Sequence, residues 1–380
     1  MKAENIMVTR SAMPPFEEYM DMIQPLWESR CLTNMGRYHQ RFEQELREYL
    51  GVECVSLMVN GHMSLEMAIQ AMDFPSGGEV ITTPYTFIST THAIIRNQLS
   101  PVFCDIKLED YTMDEERIEE LITQKTVAIL PVHIYGNLCN VHKISEIAKK
   151  HNLRVIYDAA HAFGEEIDGI GVGNYGDVSI FSFHATKVFH TIEGGAATFS
   201  DRNLYRKLYG LKNFGIFSEE VISEVGLNGK MNEFSAAMGL CNLIYIERNI
   251  EERKKRFLHY KKQLCEIEGL VMPALNMEHI KYSYGYFPVL FQPEILGKGI
   301  RDRIYDKLRQ IRVYARKYFY PITADAECFQ NRYRDIPLGN ARYVGKNILV
   351  LPLFPELSYQ AIDKIASIIR NECMTSGSIL

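Results

Sequence analysis

No apolar run in this chain approaches the ~18 residues needed to span a bilayer. The first residues lack the basic-then-apolar pattern of a secretory signal. There is no C-x-x-C pair, and the eight cysteines (31, 54, 104, 139, 241, 265, 328 and 373) are scattered. Three of them, Cys54, Cys104 and Cys241, sit inside apolar stretches. That usage is expected of free thiols in a reducing cytoplasm, not of disulfides or zinc ligands. Charge of a single sign is also lacking. With 42 basic and 47 acidic residues interspersed and a net charge of −5, neither nucleic acid nor an anionic membrane is expected as partner. One tryptophan stands against 22 tyrosines, a bias with no functional reading. No internal repeat or low-complexity linker is present.

A dinucleotide fingerprint is lacking too. Gly169-Ile170-Gly171-Val172-Gly173 resembles one, but a strand, Asp177 to Phe183, follows it where a helix should open. Asp168-Gly169 reads better as a hairpin turn. A nucleotide-dependent dehydrogenase is therefore disfavoured.

What is present is regular alternation. At 380 residues the chain exceeds the roughly 250–300 at which single cores stop growing. A large domain over 1–250, including an N-terminal segment, and a smaller C-terminal α+β domain over 251–380 are expected. Helix patterns are expected at Phe16 to Glu28 and at Tyr38 to Tyr49, with Thr33 as a cap before the second and Gly51 ending it. Apolar strands then alternate with helices. Strands are expected at Cys54 to Val59, Glu79 to Thr83, Pro101 to Asp105, Val127 to Val132 and Arg154 to Tyr157. The helices between and beside them are Ser64 to Met72, Thr86 to Arg96, Asp114 to Ile122 and Val141 to His151. Such near-continuous apolar strands form a mostly parallel sheet covered on both faces. Helices Arg202 to Leu211, Asn232 to Ile246 and Glu247 to Glu266 follow. Ala236, Ala237 and Gly239 allow close packing against another element or subunit. The small domain carries strands near Tyr286 to Phe291, Arg312 to Ala315 and Asn347 to Leu351, and a last helix, Tyr359 to Asn371.

Ligands on such sheets bind at the carboxyl ends of the strands. Asn60, Pro84, His133, Asp158 and Ser182 fall there. The strand ending in Ser182-Phe183 breaks into a polar loop, His184-Ala185-Thr186-Lys187, and Gly194-Gly195 opens the next strand, Ala196 to Phe199. A lysine between buried strands is unusual, because an unpaired buried ammonium is costly. Desolvation lowers its pKa and makes the amine nucleophilic, fit to form a Schiff base with an aldehyde cofactor.

A cofactor of the pyridoxal type needs four things: that lysine, a carboxylate at the ring nitrogen, a phosphate cradle and a flat side chain against the ring. Asp158 ends a strand and is the candidate carboxylate, although an Asp after a strand more commonly caps a helix. The spacing from Asp158 to Lys187 leaves room for one hairpin and one strand. The helix after Asn60-Gly61 offers backbone N–H groups at His62 and Met63, and Ser182 a hydroxyl. As a bare dipeptide, Asn-Gly is equally a tight turn. Phe87 is the ring-stacking candidate, with core packing as its ordinary alternative.

Taken as an ordered set, these segments resemble the DegT/StrS-type sugar aminotransferases, of fold type I pyridoxal phosphate (PLP) architecture. The matching stretches are Leu32-Thr33-Asn34, Asn60-Gly61, Pro84-Tyr85-Thr86-Phe87 and Pro131-Val132-His133-Ile134-Tyr135-Gly136. They continue through Asp158-Ala159-Ala160-His161-Ala162-Phe163-Gly164, Ser182-Phe183-His184-Ala185-Thr186-Lys187, Glu193-Gly194-Gly195, Gly226-Leu227-Asn228 and Tyr320-Pro321. The resemblance implies Lys187 as the PLP lysine and proton shuttle, Asp158 at the pyridinium nitrogen, His161 near the ring oxygen and Phe87 on the ring. It implies Gly61, His62 and Ser182 at the phosphate, with Asn228 reaching the partner subunit's cofactor in an obligate homodimer. Two departures stand out. His62 replaces the usual Thr, and Lys230 stands where many members have Arg, keeping the charge without the bidentate fork.

The resemblance further implies L-glutamate, released as 2-oxoglutarate, as amino donor and a keto sugar linked to a nucleoside diphosphate as acceptor. Lys230, Arg316, Lys317, Tyr318 and Tyr320 are the candidates for the sugar and diphosphate. For Arg316-Lys317 a solvated basic pair is an equal reading. The variants around Asn60 and Asn228 look most like the branch acting on dTDP-4-keto-6-deoxyglucose at C4, for amino-sugar and surface-polysaccharide (O-antigen) biosynthesis. Transfer to a 3-keto sugar, a PLP-dependent dehydratase and a silent PLP-bound regulatory protein are the alternatives. Lys187 beside Asp158 disfavours the last, and the lysine, which dehydratase relatives replace with His, disfavours the dehydratase.

Overall fold

The computed structural model describes residues 5–377. Its centre is a seven-stranded sheet. In spatial order the strands are Cys54–Met58, Gly195–Phe199, Val178–Ser182, Arg154–Asp158, Thr126–Leu130, Glu79–Thr82 and Ser100–Phe103. All run parallel except Gly195–Phe199, which is antiparallel to both neighbours. Every residue of Gly195–Phe199 is buried, and Val178–Ser182 is buried up to its last residue. Burial on both faces is why these strands read as continuous apolar runs. The expected α/β architecture is thus present, and all eight cysteines are free. Among the described residues no helix is long and apolar enough to cross a membrane.

Several elements differ from expectation for local reasons. Pro25 occupies the first turn of its own short helix, so the Phe16–Glu28 pattern divides into Phe16–Ile23 and Pro25–Ser29. Gly36, not Thr33, caps helix Arg37–Leu50, and Gly51 ends it in the left-handed conformation. Asp114 to Ile122 winds as two 3₁₀ turns, Glu115–Arg117 and Glu119–Leu121. The two helices expected over 232–266 are one helix, Glu233–Leu264, which passes through residue 250 without a break. Its Gly239 faces Phe42 of the same chain: a Cβ there would lie 2.7 Å from the ring. Asp168 and Gly169, both at positive φ, close the hairpin between Glu166–Ile167 and Ile170–Gly171.

Toward the C-terminus, Leu270–Val271, Phe287–Phe291 and Ile348–Leu351 form an antiparallel sheet. The N-terminal strand Ile6–Met7 pairs not with the large sheet but with Val313–Tyr314. From there residues 8–12 cross to the lysine loop. Leu353 N–H donates to Val8 O, Ser11 Oγ to Ala185 O, and His190 Nε2 lies 2.8 Å from Ala12 O. Beneath that loop lies an aromatic floor. Phe163 stacks on Phe189 at 4.4 Å, and Phe183 meets Phe189 edge-on at 5.1 Å. Such pairs contribute about 0.5–1.5 kcal/mol each beyond area burial. They pin both ends of the 184–188 turn, whose apex carries Lys187.

Candidate active site

The carboxyl ends of the central strands open into a cavity of about 560 Å³. Gly61, His62, Phe87, Asp158, His161, Ser182, Lys187, Arg316 and Tyr318 all line it. Residues separated by more than 250 positions in sequence converge there because the sheet ends and the C-terminal strands face one another.

Gly61 starts helix Gly61–Gln70, with Asn60 as its N-cap: Asn60 Oδ1 accepts from Met63 N–H, and Asn60 O from Ser64 N–H. The amides of Gly61 and His62 have no intrahelical acceptor. The turn is tight. A Cβ on Gly61 would come within 2.6 Å of Ser182 Cβ, and one on Gly195 within 2.6 Å of the Asn60 carbonyl carbon. The Gly194-Gly195 pair therefore lets the antiparallel strand slide under the Asn60-Gly61 turn. That approach puts the Ser182 hydroxyl beside two free helix amides, an anion cradle. His62 holds its ring aside, with Nδ1 2.8 Å from Ser89 Oγ and Nε2 3.4 Å from Glu66.

Asp158 is buried and meets no cation among the described ion pairs. Its Oδ1 accepts from Ala160 N–H at 3.1 Å and its Oδ2 from Thr90 Oγ1 at 2.8 Å. Burial raises its pKa, and Thr90, Ala160 and the Lys187 charge pull it partly back. His161 accepts from Tyr135 N–H at Nδ1, which places the proton of the neutral ring on Nε2. Burial, and then the Lys187 charge, push its pKa well below the usual value. Lys187 Nζ donates to Tyr286 Oη at 3.2 Å. Burial pushes its pKa down to about 8, against the opposing pull of Asp158. The uncharged, nucleophilic amine is therefore far more populated near neutrality than that of an ordinary lysine, although still the minority form. Capture of pyridoxal phosphate by the apoenzyme should accelerate with pH about a midpoint near 8. A midpoint near the ordinary lysine value in stopped-flow absorbance would contradict this.

Other candidates lie apart from this cavity. Lys317 pairs with Asp302 at 2.6 Å, and Arg301 stacks on the Tyr320 ring at 5.4 Å. Asn228 forms an isolated bridge with Asn213. Lys230 is buried, with Nζ 5.1 Å from the Phe214 ring centroid. His133, at a strand end, is buried behind the cavity, stacked on Tyr157 at 4.8 Å and pushed down to about 3 by burial. Sequence reasoning missed Thr90, Tyr286, Val8 and Thr9. Thr90 follows Phe87 by one helical turn and was recoverable. The N-terminal residues and Tyr286 carried no local signal.

Fold and site together define a class: the pyridoxal phosphate-dependent transferases of fold type I. The model of the DegT/DnrJ/EryC1/StrS aminotransferase family matches residues 16–370, and the chain belongs to that family. A dTDP-4-amino-4,6-dideoxy-D-glucose transaminase of Shigella dysenteriae is 41% identical over 365 residues, 96% of this chain and 98% of that protein. The structure of DesI in the presence of its TDP-sugar product matches with a TM-score of 0.92 and 28% identity, covering 99% of this chain and 95% of that one. That of ntda from Bacillus subtilis, with bound cofactor PMP, matches with a TM-score of 0.85 and 26% identity, covering 94% and 82%.

The residues present fit the cofactor. A buried carboxylate with no direct ion pair among the described residues suits a protonated ring nitrogen. The Gly61–Ser182 cradle suits a phosphate, and the depressed lysine suits an aldehyde. The protein is a PLP-dependent sugar aminotransferase.

Proposed function

We propose that the chain transfers the amino group of L-glutamate to C4 of dTDP-linked 4-keto-6-deoxyglucose, acting as a homodimer with shared active sites. The likeness to the Shigella dysenteriae transaminase along nearly the whole of both chains carries the choice of sugar. The Lys187–Asp158 arrangement in one cavity supports the chemistry.

Bound pyridoxal phosphate supplies an electron sink for the pair left behind when a proton leaves the nitrogen-bearing carbon. The amides of Gly61 and His62 and the Ser182 hydroxyl would hold its phosphate, Phe87 would cover the ring and His161 would lie by the ring oxygen. Asp158 would keep the ring nitrogen protonated. Lys187 Nζ takes the proton from the α-carbon of glutamate. In the return half it delivers one to C4 of the sugar, acting as base and then as acid. Tyr286 Oη holds Nζ between these positions. Arg316 and Tyr318 receive the anionic part of the sugar substrate. Lys317 and Tyr320, next to them in the chain, are turned to Asp302 and Arg301 and have no part in this cavity, while Asn228 and Lys230 would serve the partner's site.

The test is to incubate the holoenzyme with L-glutamate and dTDP-4-keto-6-deoxyglucose. One 2-oxoglutarate per amino sugar, with nitrogen on C4 by NMR, is the expected outcome. Nitrogen on C3, or loss of water without keto acid, would overturn the proposal.

A further inference from the structure

Among the cavity-lining side chains with no part in holding the cofactor are His184 and Glu193. They stand on opposite arms of the lysine loop, three residues before Lys187 and six after it. Lys187 N–H donates to His184 O at 2.9 Å, so the imidazole and the reactive amine leave the same turn. His184 Nδ1 accepts from Thr186 N–H at 3.3 Å and lies 2.7 Å from Thr186 Oγ1. With Nδ1 an acceptor, the neutral ring carries its proton on Nε2. Nε2 faces Glu193 Oε1 at 3.4 Å, and both side chains remain open, 46% and 57% exposed.

We infer that His184 and Glu193 form a hydroxyl-binding pair that selects the sugar and does not serve the amino donor. The inference rests on the sugar aminotransferase reading above. The part of each substrate that would reach the pair separates the two. Glutamate brings two carboxylates, and the Glu193 carboxylate beside them is repulsive. The nucleotide sugar, its diphosphate taken by Arg316 and Tyr318, presents the neutral hydroxyls of its hexose. One of these accepts from His184 Nε2–H and donates to Glu193, a bond strengthened by the acceptor's charge. Asp158 is not the partner here, because it is buried in the cavity wall, bonded to Thr90 and Ala160, and its remaining acceptor capacity is assigned to the ring nitrogen. Of the two acidic side chains that line the cavity, Glu193 is thus the one placed for a hydroxyl. The tautomer fixed by Thr186 gives the pair a defined donor and a defined acceptor.

The experiment follows the two half-reactions of the holoenzyme separately by stopped-flow absorbance. L-glutamate is used for the first and dTDP-4-keto-6-deoxyglucose for the second. In Glu193→Gln the ratio of the sugar half-reaction's apparent affinity to that of the glutamate half should fall about tenfold, the loss of roughly one charged hydrogen bond. His184→Asn, whose Oδ1 still accepts from Thr186 N–H, should move the same ratio in the same direction. An equal slowing of both halves would assign the pair to loop structure and overturn the inference. So would an unchanged ratio in both variants. If wild-type protein fails to turn over the sugar while still reacting with glutamate, the sugar assignment fails instead, and the ratio is read with the accepted keto sugar.

Discussion

Alanine in place of Lys187 should lower turnover by about 10⁴-fold while leaving the fold intact. Under the proposed mechanism two roles vanish together, the covalent hold on the cofactor and the proton transfer, and a positioned acid–base group alone contributes about 10²–10⁴-fold. The fold should tolerate the change, because the loop is held by other groups. Ser11 grips Ala185 O, Phe183 N–H reaches Gly194 O, and Phe183 and Phe189 pack on Phe163. Removing a buried ammonium also removes a desolvation cost. The variant should therefore bind pyridoxal phosphate without the absorbance of the lysine-linked form. Addition of L-glutamate should yield no 2-oxoglutarate. Turnover near the wild-type rate would remove Lys187 from the mechanism and with it the reading of the whole cavity.

How far the site was legible in the sequence follows from where its physics is local. Asp158, Ser182 and Asn60 sit at the ends of apolar strands, and a strand end is visible in the alternation itself. Lys187 was visible because a lysine between buried strands demands a reason. The Gly pair was visible too, although its reason, the approach of Gly195 to the Asn60 backbone, appears only in three dimensions. Tyr286 was expected only as the start of a strand, and nothing in its neighbours shows that it meets Lys187 across 99 residues. The N-terminal residues were read as a leading segment of the large domain. Their pairing with Val313–Tyr314 is a long-range contact without a sequence pattern. The 3₁₀ turns at Glu115–Arg117 and Glu119–Leu121 show the converse. There, apolar spacing suited a helix, but the Asp114 side chain binds Glu116 N–H and Asp114 N–H reaches Asp105 O, which tightens the segment.

Asn in place of Asp158 should separate activity from stability. The amide keeps the shape. Its oxygen can still accept from Ala160 N–H, and its NH₂ can donate to Thr90 Oγ1, which then donates to Thr86 Oγ1 2.9 Å away. Only the charge is lost, and with it the partner that the proposed mechanism gives the protonated ring nitrogen. Losing one member of a buried pair costs about 3–5 kcal/mol, so kcat should fall about 10³-fold. The apoenzyme should respond in the opposite direction. Burial holds the folded pKa of Asp158 above its unfolded value. The carboxyl therefore favours the folded state fully below the unfolded pKa, near 3.9, and this contribution is lost as pH rises through the folded pKa. Asn cannot ionise and escapes that loss. At neutral pH the apo variant should melt above apo wild type, and the gap should close as the pH falls toward 4. With pyridoxal phosphate bound, the order should reverse, because the wild-type carboxylate then has its cation. Thermal melts of the four species at two pH values test this. An apo wild type more stable than the apo variant at neutral pH would show that the carboxylate already has a partner, and that the cavity is not strained toward a cationic ring. Under the proposed mechanism that strain has a function: a destabilised carboxylate would hold the proton on the bound ring and make it a better electron sink than the free cofactor.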